Sequence, residues 1–396
     1  MTAALVLDVI LVVVLVGFLI SGLRHGLARS LGSILGLAAG GVAAFLLAPI
    51  LTGIVPWPFW RVFFVVTAAV FLLIVGHSIG RAIGRLIGRG VDRTALRPLD
   101  RMLGGAATLV TAALVTSLLA GSMTALGAPV LSRAANDSAV ISGIERLTPD
   151  PVDSALARLR SLILADGVPV LGQGLGGVAT APSAAPEVET ATDPLIAASA
   201  SVVRITGTAY ACGQNQSGSG FVIASNRIVT NAHVVAGVDQ PVVEAPNGQS
   251  IEGRVVYFDA RDDLAVIATI GLDVPPLALN EPLAIGDESV VQGYPFGGPF
   301  VSDGAEVLAV STERLRDIYG GQTSEREVYT LAAEINPGNS GGPLLALDGE
   351  VAGVVFAKSA DSSQLGYAMT NTELAPVADA APGLSAQVSS GSCVAG

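Results

Sequence analysis

The first third of the chain is built of long apolar runs and the last half of short alternating ones. Four stretches, about 3–22, 31–55, 61–81 and 102–127, are almost wholly apolar, and each reaches the roughly 20 residues a helix needs to cross a bilayer. A buried core helix explains one such stretch; four in succession with few charges predict a transmembrane domain. A cleaved signal peptide fits the first poorly, because its basic residues follow the apolar run instead of preceding it. Between 128 and 195 the pattern thins to small residues. There Pro151 to Ala165 sets Val152, Leu156, Leu159 and Leu162 on one face, predicting a short amphipathic helix that rests on the membrane or on the domain that follows. Gly167 to Asp193 is rich in Gly, Ala and Pro and reads as a flexible tether. From about Pro194, β-type runs broken by Gly, Asn and Asp predict an all-β barrel or sandwich; they include Ser201–Thr206, Gly220–Ala224, Ile228–Thr230, Gly253–Asp259, Leu264–Thr269, Ser289–Gly293, Val328–Ala333 and Glu350–Ala357. The boundaries expected are thus a membrane domain over 1–127, a linker over 128–195 and a soluble domain over 196–396.

Charge separates the same parts. Of a formal net charge of −12, the first 130 residues contribute nine arginines against Asp8, Asp92 and Asp100, so the remainder carries about −18. An apolar, basic part joined to an acidic, water-facing part implies the lipid bilayer as one partner, and the acidity argues against nucleic acid. The loop after the first span holds Arg24 and Arg29, and the segment after the third holds Arg81, Arg85, Arg89, Arg93, Arg97 and Arg101. Both are expected on the cytoplasmic side, which puts the N-terminus and everything after the fourth span outside. Trp57 and Trp60 suit the opposite interface as belt residues. Gly32, Gly36 and Gly40, and again Gly80, Gly84 and Gly88, recur every fourth residue; such rows let helices pack closely in lipid, although general glycine richness gives the same pattern.

The soluble part contains one histidine, His233, in Thr230-Asn231-Ala232-His233-Val234-Val235. A serine, Ser340, stands in Asn336-Pro337-Gly338-Asn339-Ser340-Gly341-Gly342-Pro343-Leu344, and two adjacent acids precede the apolar run Leu264-Ala265-Val266-Ile267. Serine is a weak nucleophile until a base lies within hydrogen-bond reach, and the order His, Asp, Ser is that of the chymotrypsin-type triad. Strand neighbours point to opposite faces, so either Asp262 or Asp263, not both, reaches His233. The glycines around Ser340 allow a sharp turn, with the N–H groups of Gly338 and Ser340, flanking Asn339, as an oxyanion hole. No metal or cofactor is expected. Cys212 and Cys393 both fall outside the cytoplasm in this topology, where disulfides persist. A bond between them is expected to pin the C-terminal tail to the first barrel; two free thiols are the alternative.

These His, Asp and Ser segments resemble trypsin-like proteases of the HtrA type. The resemblance implies two six-stranded barrels, a double β-barrel of chymotrypsin type, with protein or peptide as substrate and Asp263, directly before Leu264-Ala265-Val266, as the triad acid. It places substrate-pocket walls at Glu334, Ile335 and Asn336, at Val355, Phe356 and Ala357, and at Gly366, Tyr367 and Ala368. It also implies a preference for small or medium apolar side chains, with Glu334 where trypsin carries an aspartate. The short stretch after Cys393 gives the expectation that no PDZ domain follows, a departure from common HtrA proteins. Asp8-Val9-Ile10 through Gly22-Leu23-Arg24-His25-Gly26-Leu27, with Leu35-Gly36-Leu37-Ala38-Ala39-Gly40, resembles the colicin-V-production (CvpA-like) membrane family over the first 125 residues or so. The whole arrangement is similar to the membrane-anchored acid-resistance serine proteases of mycobacteria, which implies an extracytoplasmic enzyme of envelope or acid stress. Two functions follow: a membrane-anchored periplasmic serine endopeptidase, or a transport or scaffold protein whose protease-like domain is regulatory. The intact triad favours the first.

Overall fold

The computed structural model describes residues 3–54, 58–91, 94–125, 134–135, 137–164, 169–171, 184–212 and 214–394. The chain divides into two compact units, essentially Leu5–Ser117 and Leu118–Gly396.

In the first unit the apolar runs fold into α1 (Ala3–His25), α2 (Leu27–Ile54), α3 (Pro58–Val91) and α4 (Arg97–Ala125). All four are long and apolar enough to cross a membrane. The 34 residues of α3 make a rod about 50 Å long, more than the hydrocarbon core requires. Arg81, Arg85 and Arg89 lie on this surplus length as exposed residues. The two glycine rows face each other. A Cβ added at Gly32 would lie 2.8 Å from the Gly84 Cα, and one added at Gly36 the same distance from the Gly80 Cα. Backbone therefore packs on backbone, as small residues permit in lipid. Asp100 caps a helix start: its Oδ1 accepts a hydrogen bond from Ala28 N (3.2 Å) at the first turn of α2, where helical N–H groups lack internal partners. Trp57 and Arg93 fall outside the described residues.

The second unit carries two seven-stranded sheets. The N-terminal sheet runs β6-β5-β2-β3-β4-β8-β7, from β2 (Val202–Ala209), β3 (Gln214–Ala224), β4 (Arg227–Thr230), β5 (Val242–Glu244), β6 (Ser250–Glu252), β7 (Arg254–Asp259) and β8 (Leu264–Ala268). The C-terminal sheet runs β1-β13-β12-β9-β10-β11-β14, from β1 (Val170–Leu171), β9 (Glu288–Gly293), β10 (Val301–Arg316), β11 (Thr323–Ala332), β12 (Pro343–Leu345), β13 (Val351–Ser359) and β14 (Leu365–Thr370). The β13–β14 pairing closes six of these strands into a barrel, so the seventh, β1, is an addition from the linker. Period-two burial explains the one long strand the sequence reading lacks. On β10 the inward residues Ala305, Val307 and Ala309 are small or modest, and the residues between and after them mix polar Glu306 with apolar Leu308 and Val310, so the alternation is faint in sequence. One apolar cluster, including Phe221, Val229, Leu264, Val290, Val354 and Met369, spans both sheets, and each sheet also has its own.

The linker contains α5 (Ala139–Leu147) and α6 (Asp150–Leu164), the second over the stretch expected to be helical, and parts of the expected tether are packed. A third short helix, α7 (Asp193–Ser199), leads into β2 with Leu195 and Ala198 buried. β1 pairs parallel with β13, Val170 opposite Lys358 and Leu171 opposite Ser359. Ala185 N donates to Gln364 Oε1 at 2.8 Å, and the Val188 side chain packs on the core. Residues 172–183 of the expected tether lie outside the described residues. On α6, Val152 and Leu159 are exposed, Leu156 is half-buried and Ala157 is buried.

Cys212 and Cys393 form a disulfide across 181 residues of chain. The tail is also held by main-chain bonds, Val388 N to Val255 O and Gly237 N to Ser390 O, and by Arg227 Nε to Leu384 O. It has more anchors than its composition suggests.

Gly80→Leu is expected to force α2 and α3 apart and lower the thermal midpoint of the detergent-solubilised chain. Gly90→Leu, with open space around its Cβ, serves as the control; equal effects would show that the row does not set the packing. For the disulfide, non-reducing peptide mapping should recover Cys212 and Cys393 in one linked species. The Cys212→Ser/Cys393→Ser variant should lose up to ~5 kcal/mol, the loop-entropy value, and melt lower. Two separate cysteine peptides would refute the pairing.

Candidate active site

The three motif segments meet where the two sheets face each other. His233 sits in one helical turn, α8 (Ala232–Val235), after β4; Asp263 ends the turn before β8; Ser340 lies in the turn before β12. Asp262 and Asp263 are not strand neighbours, as the alternation argument assumes, but lie together in that turn. What separates them is backbone conformation: Asp263 adopts φ 55°, a left-handed geometry that Asp tolerates better than most residues. Its carboxylate is thereby brought to the imidazole. Asp263 Oδ2 and Oδ1 lie 2.7 and 3.0 Å from His233 Nδ1, and Oδ1 also accepts the His233 backbone N–H at 2.9 Å. Asn231 Nδ2 donates to the Asp263 carbonyl at 2.8 Å, which fixes the turn. Asp259 shapes the same turn, its Oδ1 accepting from Arg261 N and Asp262 N. Asp262 is half-buried, and burial, followed by the charge of Asp259, pushes its carboxyl up.

Asp263 is 3% exposed, so its charge needs compensation beyond the imidazole. Arg326 is one charge that acts on it. This residue is itself buried, interacts electrostatically with Asp263, donates Nη2 to the Arg316 carbonyl (2.9 Å) and holds its guanidinium 5.5 Å from the Phe356 ring centroid. Burial lowers the Arg326 pKa, and the surrounding acids, Asp263 first, oppose that. With Asp263 accepting from Nδ1, the neutral ring keeps its proton there and presents Nε2 as an acceptor. Among the described residues, His233 Nε2 and Ser340 Oγ are both buried and neither has a hydrogen-bond partner. Serine–histidine bonds of this kind often close only when substrate is seated.

The turn at Ser340 is held by a residue the sequence reading does not single out. Ser219, on β3 and fully buried, donates its hydroxyl to the Gly338 carbonyl (2.6 Å) and accepts from Tyr294 N (2.9 Å). Its backbone N–H donates to the Ser340 carbonyl (2.9 Å), and its own carbonyl accepts from Thr230 Oγ1 (2.7 Å). Gly338 (φ 95°) and Gly341 (φ 82°) have no space for a Cβ: the first abuts the Tyr294 carbonyl and the second abuts Thr230 and Ser219. The Asn339 N–H is used internally, bonded to the Asn336 carbonyl at 3.0 Å. The N–H groups of Gly338 and Ser340 have no acceptor among the described residues.

The expected pocket residues are more dispersed in character. Glu334 is exposed and accepts from Asn336 Nδ2 (3.2 Å). The Asp303 carboxyl is pushed up by burial first and by Glu334 second. Ile335 is buried against Gly366, where any Cβ would meet its side chain. Ala357 and Tyr367 are buried, and Phe356 lies in the inter-sheet core beneath Arg326.

Comparison with known proteins gives a consistent result. The trypsin-like peptidase domain family matches residues 218–354, and the colicin V production protein family matches residues 7–149. Serine protease Rv3671c of Mycobacterium tuberculosis is 34% identical over 303 residues, 76% of each chain. A probable periplasmic serine endoprotease, DegP-like, of Halomonas elongata is 36% identical over 168 residues, 41% of this chain and 34% of that one. The active form of the M. tuberculosis Rv3671c protease superposes with a TM-score of 0.52 at 37% identity, covering 54% of this chain and 94% of the crystallised one.

Asp263→Asn is expected to lower kcat by about 10⁴, as loss of the orienting acid does in triads, while Asp262→Asn changes it less than about tenfold. Peptide hydrolysis kinetics of the two variants decide it, and the reverse ranking would reassign the acid.

Proposed function

This chain belongs to the family of the mycobacterial serine protease Rv3671c and is a membrane-anchored serine endopeptidase, and we propose that it works outside the cytoplasm through His233, Asp263 and Ser340. In this mechanism the Ser340 hydroxyl attacks the scissile carbonyl as its proton passes to His233 Nε2. Asp263, against Nδ1, steadies the imidazolium that forms. The oxyanion accepts hydrogen bonds from the Gly338 and Ser340 N–H groups, donors worth roughly 3 kcal/mol apiece in such sites. The carbon–nitrogen bond then breaks, His233 returns the proton to the leaving amine, and water releases the acyl group from Ser340 by the same route. The observation that carries the reading is the His233–Asp263 contact, a buried imidazole bonded through Nδ1 with Nε2 left open.

Residues 1–127 serve as the anchor in this reading, 128–195 as the linker and 196–396 as the protease. Sidedness rests on the arginines: Arg24 and Arg29 flank the α1–α2 turn, and Arg81 to Arg101 flank the passage from α3 to α4. Both turns belong to the cytoplasmic face by the positive-inside rule, which sends the chain after α4 to the opposite side. The resemblance to mycobacterial anchored proteases extends the proposal to a role in envelope or acid stress.

A membrane-impermeant fluorophosphonate applied to intact cells should label the wild-type chain covalently and leave Ser340→Ala unlabelled. Undiminished labelling of the alanine variant would remove Ser340 from the mechanism. Labelling that appears only after lysis would overturn the sidedness.

A further inference from the structure

The loop Tyr294–Gly298 backs directly onto the oxyanion turn and is held from three sides. Ser219 Oγ takes the Tyr294 N–H. Arg204, paired with Glu244, donates to the Gly297 carbonyl at 3.0 Å. The third contact comes from the linker. On α6 the Arg158 guanidinium stands 5.5 Å from the Phe296 ring centroid, and the buried Ala157 lies so close to Gly298 that a Cβ at that glycine would come within 2.5 Å of it.

Phe296 is the residue these contacts act on. It adopts φ 59°, a left-handed conformation that a bulky aromatic residue seldom takes unless its surroundings impose it. In that conformation its N–H donates to the Pro337 carbonyl. The Pro337–Gly338 peptide is planar and trans, so its C=O and N–H point in opposite directions. Drawing the Pro337 oxygen toward Phe296 therefore turns the Gly338 N–H away from the loop. The same peptide rotated by half a turn would bury that N–H and put a carbonyl oxygen where the oxyanion forms.

We propose that α6, through Arg158 and Ala157, is a positioning element for the protease: it holds Phe296 in the geometry that keeps the Pro337 carbonyl withdrawn and the Gly338 N–H presented. The proposal rests on the oxyanion reading given above. Arg158 touches no reacting atom. It acts through Phe296 and then Pro337, so its loss weakens transition-state stabilisation and leaves ground-state binding of the peptide nearly intact. Because α6 lies in the chain between the fourth span and the protease, activity is coupled to whether this linker helix stays docked.

The test uses full-length chain in detergent with a chromogenic peptide. Arg158→Ala should lower kcat roughly fivefold, the loss of one partly exposed cation–π contact. KM should move by less than about twofold, and the thermal midpoint should not change. Arg158→Lys, which keeps a cation over the ring, should regain most of the activity. Ala157→Leu, which wedges α6 off Gly298, should lower kcat at least as far as Arg158→Ala. A peptidyl trifluoromethyl ketone, whose oxyanion needs the Gly338 N–H, should lose affinity in step with kcat/KM. Wild-type kcat in both Arg158→Ala and Ala157→Leu would overturn the proposal, as would a change in KM alone. Ser340→Ala is run beside them: if it retains hydrolysis, the underlying assignment has failed, whereas if it is silent and the α6 variants are unaffected, only the positioning role has.

Discussion

The hydroxyl and backbone of Ser219 are what the rest of the site depends on. The residue belongs to the N-terminal sheet, yet three of its four polar contacts reach the other side: the Gly338 carbonyl, the Ser340 carbonyl and the Tyr294 N–H. In the fourth its own carbonyl accepts from Thr230 Oγ1, which ties it to the strand that delivers His233. Every one of these groups is out of contact with water, where an unmade hydrogen bond costs about 1–3 kcal/mol, so the turn at Ser340 cannot relax without breaking several at once. The approach is close enough that Gly341 and Gly338 can carry no side chain. The glycine-rich sequence around the serine is thus required by Ser219 and Tyr294 as much as by any substrate.

Around that junction the electrostatics are arranged in series. Asp263 is buried and needs a positive partner that persists through the reaction, and Arg326 interacts with it from β11. Arg326 is itself stabilised by the Arg316 carbonyl and the face of Phe356. In the proposed mechanism the imidazolium lasts only as long as the tetrahedral intermediate, while Asp263 is charged throughout. The contact with Arg326 gives Phe356 a structural reason to be aromatic at a position where resemblance alone suggests a pocket wall.

The linker is the part of the molecule whose role changes most once its contacts are known. A composition of glycine, alanine and proline suggests a segment with no fixed position. Yet β1 extends the closed barrel at β13, Val188 packs on the core and α6 docks on the loop behind the oxyanion turn. A segment that joins a membrane span to an enzyme therefore also touches that enzyme beside the Ser340 turn, which is the contact the proposed coupling uses.

Much of this was legible in the residues themselves. Apolar run length alone identifies the four helices, since a span must satisfy every backbone group within itself. The local motifs single out His233 and Ser340 as candidates, because a sharp glycine turn and a lone histidine are features of a few adjacent residues. Asp263 was legible only through resemblance: nothing in two neighbouring aspartates shows that one of them takes a left-handed φ. Ser219, Arg326 and Phe296 were not legible. Ser219 lies in a run of small polar residues, Arg326 in an alternating charged strand and Phe296 in a short loop, and each acts through groups far away in the chain. The glycine rows were ambiguous until α2 and α3 were seen side by side. Sequence by itself determined the elements whose cause is local, namely helix length, strand period and turn chemistry. Tertiary structure decided which buried polar groups pair across the two sheets, because such pairing depends on what lies opposite in space, and one-dimensional spacing carries no record of that.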